Sequence, residues 1–563
     1  MDNTQTKQVN KRAVPPILWW LVALAALLCG SVALVYYWRV FYSYGLYPFA
    51  GLSAGTLTLL LCGIVTAGWG IAYLTSRFCR SLSCKAAIAV FCVGLLFCFA
   101  NPPMETPDEL GHYLRAYSIS EGNLTFDYNR AYPQDVNALA TVFRGAWTNA
   151  HNGSTLKVTQ TDKDVYTDGH AIANNYVRYA EMAKTGEGVV AEKEPIIRMI
   201  LPFVPQAAGM ALARLFGGGA LACLYAGRMA NLAVYALLCW YALRKAKRYL
   251  PVFFAFMLLP LSLYLAASVS YEGLLLGLAW VIMSYFCADE IKTRDVAVIC
   301  ACIAVMTSVK ILNILFLVLP FLLPKTAWKT RIKKWQAALL CLGAGLGLFW
   351  LFTWYGNTFM YNYPEIGRML GSDVNQAAQL GAIFSNIPRY IMVLLGTLYE
   401  NNFFVNSLGL FGALDISLPF VSSVSVCLLG LAAALSVHEK SSLPRRSLLG
   451  LLLLAVAYIG AVCTGLYITY APVYMVRIIG LQPRYFLPAL FILVMLLAAA
   501  LSHILKPTLG GGNKALHAGL LLAVAVGVCS AVLLFQHYFV GPVTVLSADT
   551  LAQTAATVLQ SAA

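Results

Sequence analysis

The stretch AAIAVFCVGLLFCFANPPMETPDELGHYLRAYSISEGNL, Ala86 to Leu124, decides how the chain is read. It opens with an apolar run that ends at Ala100. Directly behind that run come Glu105, Asp108, Glu109, His112 and Arg115. Ionisable groups so close to hydrocarbon are costly unless they have a partner or a job.

Working outward from this junction, the whole chain has the composition of a membrane protein. Of 563 residues, 60% are hydrophobic and only 11% charged, against about 25% charged in a soluble domain. Many apolar runs approach the ~20 residues that cross a bilayer as a helix. They are rich in Leu, Ala and Gly and lack the alternation of a barrel strand. The net charge of +15 does not call for nucleic acid, because most Lys and Arg sit in short clusters between apolar runs, as the positive-inside rule requires. The fifteen cysteines lie mostly in or beside apolar runs, and none falls between Asn101 and Ile196. That spacing speaks against a disulfide framework or a CxxC-type metal site. Lys7, Lys11 and Arg12 precede a long first apolar run without a small-residue cleavage site, which reads as an anchor.

Charge bookkeeping then orders the spans. The basic N-terminus is expected in the cytoplasm. Spans at about Ile17–Trp38 and Pro48–Leu74 lead back to Arg77, Arg80 and Lys85, and a third, about Ala86–Ala100, ends outside. Residues 101–219 therefore form an extracytoplasmic loop, with Trp147, several Tyr and no low-complexity run, read as a small ordered cap. The segment Ile196–Phe216 is expected to lie in the interface. A crossing there would put the cluster Arg244, Lys245, Lys247 and Arg248 on the wrong side, and Pro202 and Pro205 are tolerable where water reaches the backbone. Ile387–Tyr399 reads as a second interfacial or half-inserted helix. Further spans are expected near Ala220–Leu243, Pro251–Ala267, Gly273–Cys287, Val296–Val309, Ile311–Leu323, Trp335–Tyr355, Pro419–Val437, Leu448–Tyr467, Leu487–Leu505 and Ala515–Phe539. Lys292 and Arg294, then Lys325 to Lys334, Lys440 to Arg446, and Lys506 and Lys514 mark the cytoplasmic turns. The expectation is an all-α polytopic membrane protein with about thirteen transmembrane helices: three at 1–100, a bundle at 220–540 and an outer tail at 541–563. No internal repeat and no pair of matching broken helices is visible, which counts against a secondary transporter.

This topology gathers the unusual polar residues on one side. Beside Asn101–Leu124, the outer face receives Ser268, Ser270 and Glu272, then Lys310 and Asn313. It also receives Glu400, Asn401, Asn402, Asn406 and Asp415, and the Arg477, Gln482 and Arg484 of RIIGLQPRYFLP. Thr106-Pro107-Asp108-Glu109 reads as a helix start. Thr106 can cap, Pro107 suits the first turn and Glu109 completes a capping box. That accounts for Glu109 structurally, and an acid at Asp108 also suits the helix dipole. Asp108, His112 and Arg115 follow at i, i+4 and i+7, on one helix face, a pattern that fits acid–base or metal-assisted chemistry. One Asp and one His do not define a metal site, so a divalent cation stays open. Lys310 can simply snorkel, and Glu272 can pair with Lys310 or Arg484 for structural reasons alone. Arg477 and Arg484 run against the positive-inside bias, and an Arg fork suits a phosphate. Gly343, Gly345 and Gly347 are mid-span packing residues. The sequons at Asn123 and Asn152 carry no weight without a host.

These residues also carry a likeness. PDELGHYLRAYSIS, PFVPQAAGMALARLFG, GRMANL, VSYEG, the span-end Lys310, LGLFGALDISLP and RIIGLQPRYFLPAL occur in that order. Together they resemble the bacterial membrane family called domain of unknown function 2142. That family looks like a branch of the GT-C glycosyltransferases, a superfamily that includes oligosaccharyltransferases, protein mannosyltransferases and aminoarabinose transferases. The resemblance implies a GT-C-like bundle with a large first outer loop and interfacial helices, in the cell membrane, with its active site outside. It implies transfer of a sugar from a polyprenyl-phosphate donor to a glycan, wall polymer or lipid acceptor, with inversion. Asp108 would be the catalytic acid position and Glu109 its neighbour. His112, Arg115, Glu272, Lys310, Arg477, Gln482 and Arg484 would meet substrate, with the cations offsetting the phosphate charge. Here the first large loop follows the third span, and Glu272 stands where an Asp is expected. The competing readings are a lipid-linked-glycan transporter or binder, an O-antigen-type polymerase or ligase, and a non-catalytic assembly subunit.

Overall fold

The computed structural model describes residues 16–42, 52–143, 171–364, 374–412, 414, 416–437, 443–504 and 513–540. Trp147, Asn152, Asp415, the basic residues Lys7, Lys11, Arg12, Lys440 and Lys506, and the tail 541–563 lie outside these residues.

The protein is an all-α polytopic membrane protein. Among the described residues, eight helices are long and apolar enough to cross a bilayer: Ile17–Tyr42, Ala54–Phe78, Leu82–Ala100, Ala220–Lys245, Lys334–Thr358, Arg445–Thr469, Pro483–Ile504 and Lys514–Val540. The pair Gln376–Ser385 and Ile387–Glu400 makes a ninth if its 107° bend is one broken span. The break has a local cause. Asn386 caps the second helix by accepting from the Arg389 N–H at 3.0 Å, and Pro388 follows in the first turn, where a missing N–H costs nothing.

The remaining expected spans are shorter. Pro251–Ala267 is two helices, Leu250–Met257 and Pro260–Ala266, because Pro260 can neither donate to nor sit within the preceding turn. Thr293–Val309 and Pro419–Leu435 have 17 residues each, and Glu272–Phe286 has 15. Beyond Lys310 the chain is a 3₁₀ run, Ile311–Val318, with one α turn, Leu319–Leu322. Hydropathy registers apolar length and is blind to these breaks.

The chain divides into two compact units. In the first, the helices Pro16–Tyr42 and Ala54–Phe78 pair through an aromatic knot. Trp69 and Tyr73 stack at 5.7 Å, and Trp69 Nε1 donates to the Trp20 carbonyl at 2.9 Å. The second unit, residues 82–162 and 174–538, contains every candidate site residue. Its interior is close-packed around Trp280, Phe256 and Phe491. Trp280 Nε1 donates to the Tyr235 hydroxyl, which donates to the Met257 carbonyl, both at 3.1 Å, so the buried polar tips are satisfied. Small residues let helices touch here. A Cβ on Gly209 would stand 2.4 Å from the Ala226 carbonyl oxygen.

The described part of the 101–219 loop is an ordered cap. Helices Glu109–Ser120, Gln134–Val142 and Ala171–Thr185 pack around a second, smaller core that holds Tyr113, Tyr117, Val136 and Leu139, together with Phe203 from the turn Leu201–Phe203. Phe126–Asp127 pairs in parallel with Met360–Tyr361, which ties the cap to the end of the Lys334–Thr358 helix. Leu201–Leu215 is a 3₁₀ turn and a 12-residue helix, too short to span. Its Leu212 and Leu215, and Phe216 directly after it, are exposed.

Candidate functional site

The site begins where the Leu82–Ala100 helix ends. Asn101 Nδ2 donates to Thr106 Oγ1 at 2.9 Å, and the Glu109 N–H donates to the Thr106 carbonyl at 3.0 Å. The helix starts at Glu109, with Asp108 in the capping position at φ 64° and no side-chain cap bond. The expected capping box is therefore absent. Thr106 holds Asn101, and Glu109 turns inward, where Arg228 meets it with two parallel hydrogen bonds, Nε to Oε1 at 2.9 Å and NH2 to Oε2 at 2.7 Å. Both side chains are fully buried. Glu109 Oε1 also accepts the Val269 N–H at 3.0 Å, and Arg228 donates to the carbonyls of Cys98, Asn101 and Pro102. A buried ion pair persists when its remaining hydrogen-bonding capacity is satisfied in this way. Glu109 is a strut between the start of its helix, the Ala220–Lys245 helix and the turn at Ser268–Glu272.

Arg115 is likewise structural. Its NH1 donates to Glu194 Oε1 at 3.0 Å and to the Thr125 carbonyl at 3.1 Å, and its guanidinium lies 4.0 Å over the Phe126 ring. The shared face of Asp108, His112 and Arg115 does not form, because Asp108 precedes the helix and Glu194 claims Arg115.

Asp108 instead reaches across the fold. Its Oδ2 accepts from Arg484 NH2 at 2.9 Å. Arg484 Nε lies 3.3 Å from Glu272 Oε1, and the same oxygen accepts from Lys310 Nζ at 2.5 Å. Four residues that the sequence placed on one side, 108, 272, 310 and 484, thus form one chain of alternating charge. Its middle members, Arg484 and Glu272, have side chains 6% exposed. Lys310 is 29% and Asp108 51% exposed. Tyr485 walls the cluster, with its ring 4.3 Å from Lys310 Nζ and 5.2 Å from the Arg484 guanidinium carbon. Burial lowers the Lys310 pKa, and the adjacent Glu272 carboxylate works against that shift.

Each member has a local reason for its place. The Ser268–Glu272 turn is fixed by Asn231 Nδ2, which donates to the carbonyls of Ala266, Ser268 and Ser270. Ser270 Oγ then accepts the Glu272 N–H at 3.3 Å. Gly273 must follow, since a Cβ there would lie 2.7 Å from Ala266 Cα. Lys310 ends the Thr293–Val309 helix, and Asn313 braces the bend. Asn313 Nδ2 donates to the Met306 carbonyl, and its Oδ1 accepts from the Tyr458 hydroxyl, both at 3.0 Å. Arg484 sits in the 3₁₀ turn Pro483–Phe486 that opens the next long helix.

His112 lies behind the cluster, its ring 4.8 Å from Tyr271 and 5.4 Å from Phe203. Burial lowers its pKa to about 4, against the pull of Asp108, so the imidazole is neutral at physiological pH. Its Nδ1 finds no hydrogen-bond partner among the described residues, nor do Gln482 Oε1 and Arg484 NH1. Gln482 stands beside Arg484 along a small void with Pro107, Tyr264 and Leu410. Arg477 is exposed and lies elsewhere. With Glu400 and Asn401 it lines a separate cleft of about 330 Å³. Among the described residues no three His, Cys, Asp or Glu side chains gather as metal ligands. Both carboxylates of the cluster are engaged by cations, while a buried guanidinium nitrogen has a donor to spare, so the arrangement suits an added anion.

Sequence reasoning missed Arg228, Glu194 and Tyr485. For Arg228 the signal was present, as the lone charge inside the apolar run Ala220–Leu243, where charges are costly. Glu194 sits in a charged stretch without a distinguishing pattern.

No curated protein and no solved structure is similar enough to this chain to count as a match. The model of a family described as predicted membrane protein, DUF2142, matches residues 91–493, a stretch that holds both ion pairs at 108–109 and the whole alternating cluster. The chain belongs to the DUF2142 family of predicted membrane proteins.

Proposed function

We propose that the protein is a membrane glycosyltransferase. It moves a sugar from a polyprenyl-phosphate donor to a hydroxyl of an extracytoplasmic glycan, wall polymer or lipid acceptor, with inversion. The positive-inside pattern supports an N-terminus in the cytoplasm and a cluster on the outer face of the cell membrane. One observation carries the reading: a half-exposed carboxylate, Asp108, abuts a buried guanidinium, Arg484, that retains an unused donor. An acid open to solvent beside a cation prepared for phosphate is what transfer from a lipid phosphate needs.

In this mechanism Asp108 takes the proton of the acceptor hydroxyl as its oxygen attacks the anomeric carbon. The bond from that carbon to the phosphate oxygen breaks, and the electron pair leaves with the lipid phosphate. Arg484 and Lys310 offset the growing charge, where fixed cations help most. Glu272 holds both cations in register, and neutral His112 supports the wall behind Asp108. Arg477, away from the cluster, has no part in this step.

General-base catalysis contributes typically ~10²–10⁴-fold. Asp108→Asn should therefore lower turnover by about that factor while the protein still folds and binds the lipid phosphate. A second reading, a lipid-linked-glycan transporter, draws on the bent pair at Gln376–Glu400, since broken helices build transport sites. It needs no base, so Asp108→Asn would slow transport without abolishing a product.

A further inference from the structure

We infer that Asp108 is a displaceable ligand of Arg484: the phosphate of the incoming lipid takes its place on the guanidinium and thereby releases the base. This rests on the reading of the cluster as a lipid-phosphate site.

The two carboxylates on Arg484 are held unequally. Glu272 is nearly buried and is also gripped by Lys310 at 2.5 Å. Asp108 is half-exposed, and among the described residues its side chain makes a single hydrogen bond, the 2.9 Å bond to Arg484 NH2. It occupies the capping position of its helix and yet makes no cap bond. Its φ of 64° lies in the left-handed region, which residues other than Gly, Asn and Asp seldom adopt.

Arg484 is correspondingly under-used. Among the described residues NH1 is buried without a hydrogen-bond partner, and Nε approaches Glu272 without the geometry of a hydrogen bond. Asp108 thus meets one edge of the fork through one oxygen. A phosphate has more charge and several acceptor oxygens, and can bridge NH1 and NH2 together, the bidentate geometry that Arg favours. It can satisfy the idle donor, which Asp108 does not. Once displaced, Asp108 loses its positive neighbour and gains a negative one. Both changes make a carboxylate a stronger base. The consequence is an order of events: the donor binds first, and only then can Asp108 accept a proton from the acceptor.

Competition for Arg484 has a signature opposite to that of a supporting contact. Removing the Asp108 charge should tighten binding of the lipid phosphate. The probe is undecaprenyl monophosphate, with the uncharged undecaprenol as control, titrated at low salt against the full chain in nanodiscs. Asp108→Asn should bind the monophosphate roughly two- to fivefold more tightly than wild type, the factor a half-exposed ion pair is worth. Asn accepts the left-handed backbone, and Asp108→Gly, which relieves it, should shift affinity in the same direction. Glu187→Gln, an exposed charge change in the cap, should leave affinity unaltered, and Arg484→Gln should abolish the preference for phosphate over alcohol. Equal or weaker binding by Asp108→Asn, with the preference still dependent on Arg484, overturns the exchange and leaves the lipid-phosphate site standing. So does equal tightening by Glu187→Gln, which would assign the effect to bulk charge. If wild type shows no preference for the phosphate at all, the lipid-phosphate site itself is refuted.

Discussion

Asp108 and Glu109 are neighbours in sequence, and each meets an arginine, but the two pairs are opposites. Glu109–Arg228 is fully buried, doubly bonded and completed by Val269 and three backbone carbonyls. Asp108–Arg484 is half-open, singly bonded and leaves a guanidinium nitrogen idle. In the first pair every guanidinium donor is already spent and the whole pair is sealed from solvent, while the second keeps an idle donor beside a solvent-reachable carboxylate. Unspent capacity at a solvent-reachable charge separates a candidate site from a strut better than charge alone.

The comparison breaks most easily at Arg228. Arg228→Ala leaves Glu109 charged, buried and alone, and should destabilise the protein by roughly 3–5 kcal/mol, read as a large loss of thermal stability or of folded yield in detergent. Glu109→Gln with Arg228→Met removes both charges and should recover most of that loss. If Arg228→Ala folds and melts like wild type, the pair is not a strut. At the neighbouring position the effect moves from stability to turnover. Asp108→Asn should cost less than about 1 kcal/mol of stability, as a half-exposed pair does, and show its effect in sugar transfer.

A third test uses pH. His112 has a pKa of about 4 in the fold against an ordinary value of 6.5. As pH falls from 6.5 towards 4, the unfolded chain takes up the proton first. The contribution of neutral His112 is therefore complete above about pH 6.5 and declines below it, by on the order of 3 kcal/mol at most. His112→Phe should flatten thermal stability across that window, and an unchanged slope would mean that the imidazole is not buried as described. The smallest effect is expected at Arg477. Arg477→Ala should alter stability by less than about 0.5 kcal/mol, as exposed substitutions do, and leave affinity for the lipid phosphate unaltered. A marked loss would draw the cleft of Glu400 and Asn401 into the site.

Much of this was legible in the sequence. Apolar run lengths gave the fold class, and the positive-inside pattern gathered Asp108, Glu272, Lys310 and Arg484, which the fold then joined into one cluster. What was not legible depends on distant contacts. Thr-Pro-Asp-Glu has the local chemistry of a capping box, and local propensity cannot register Arg228, 119 residues away in sequence. Arg115 has helical spacing from Asp108, but Glu194 offers it a buried partner. Arg477 and Arg484 lie in one short loop and look equivalent. A 3₁₀ turn buries one and leaves the other exposed. The break at Pro260 and the bend at Asn386 are local signals, and hydropathy averages over both.

The assignment of Asp108 as base and Glu109 as strut is tested most directly by sugar transfer in purified protein. Wild type and Asp108→Asn would be compared over a panel of polyprenyl-phosphate sugars, with product and released lipid phosphate both measured. Wild type should turn over at least one donor, with folded Asp108→Asn slower by about 10²–10⁴-fold at saturating donor. Near-normal transfer by folded Asp108→Asn would contradict it.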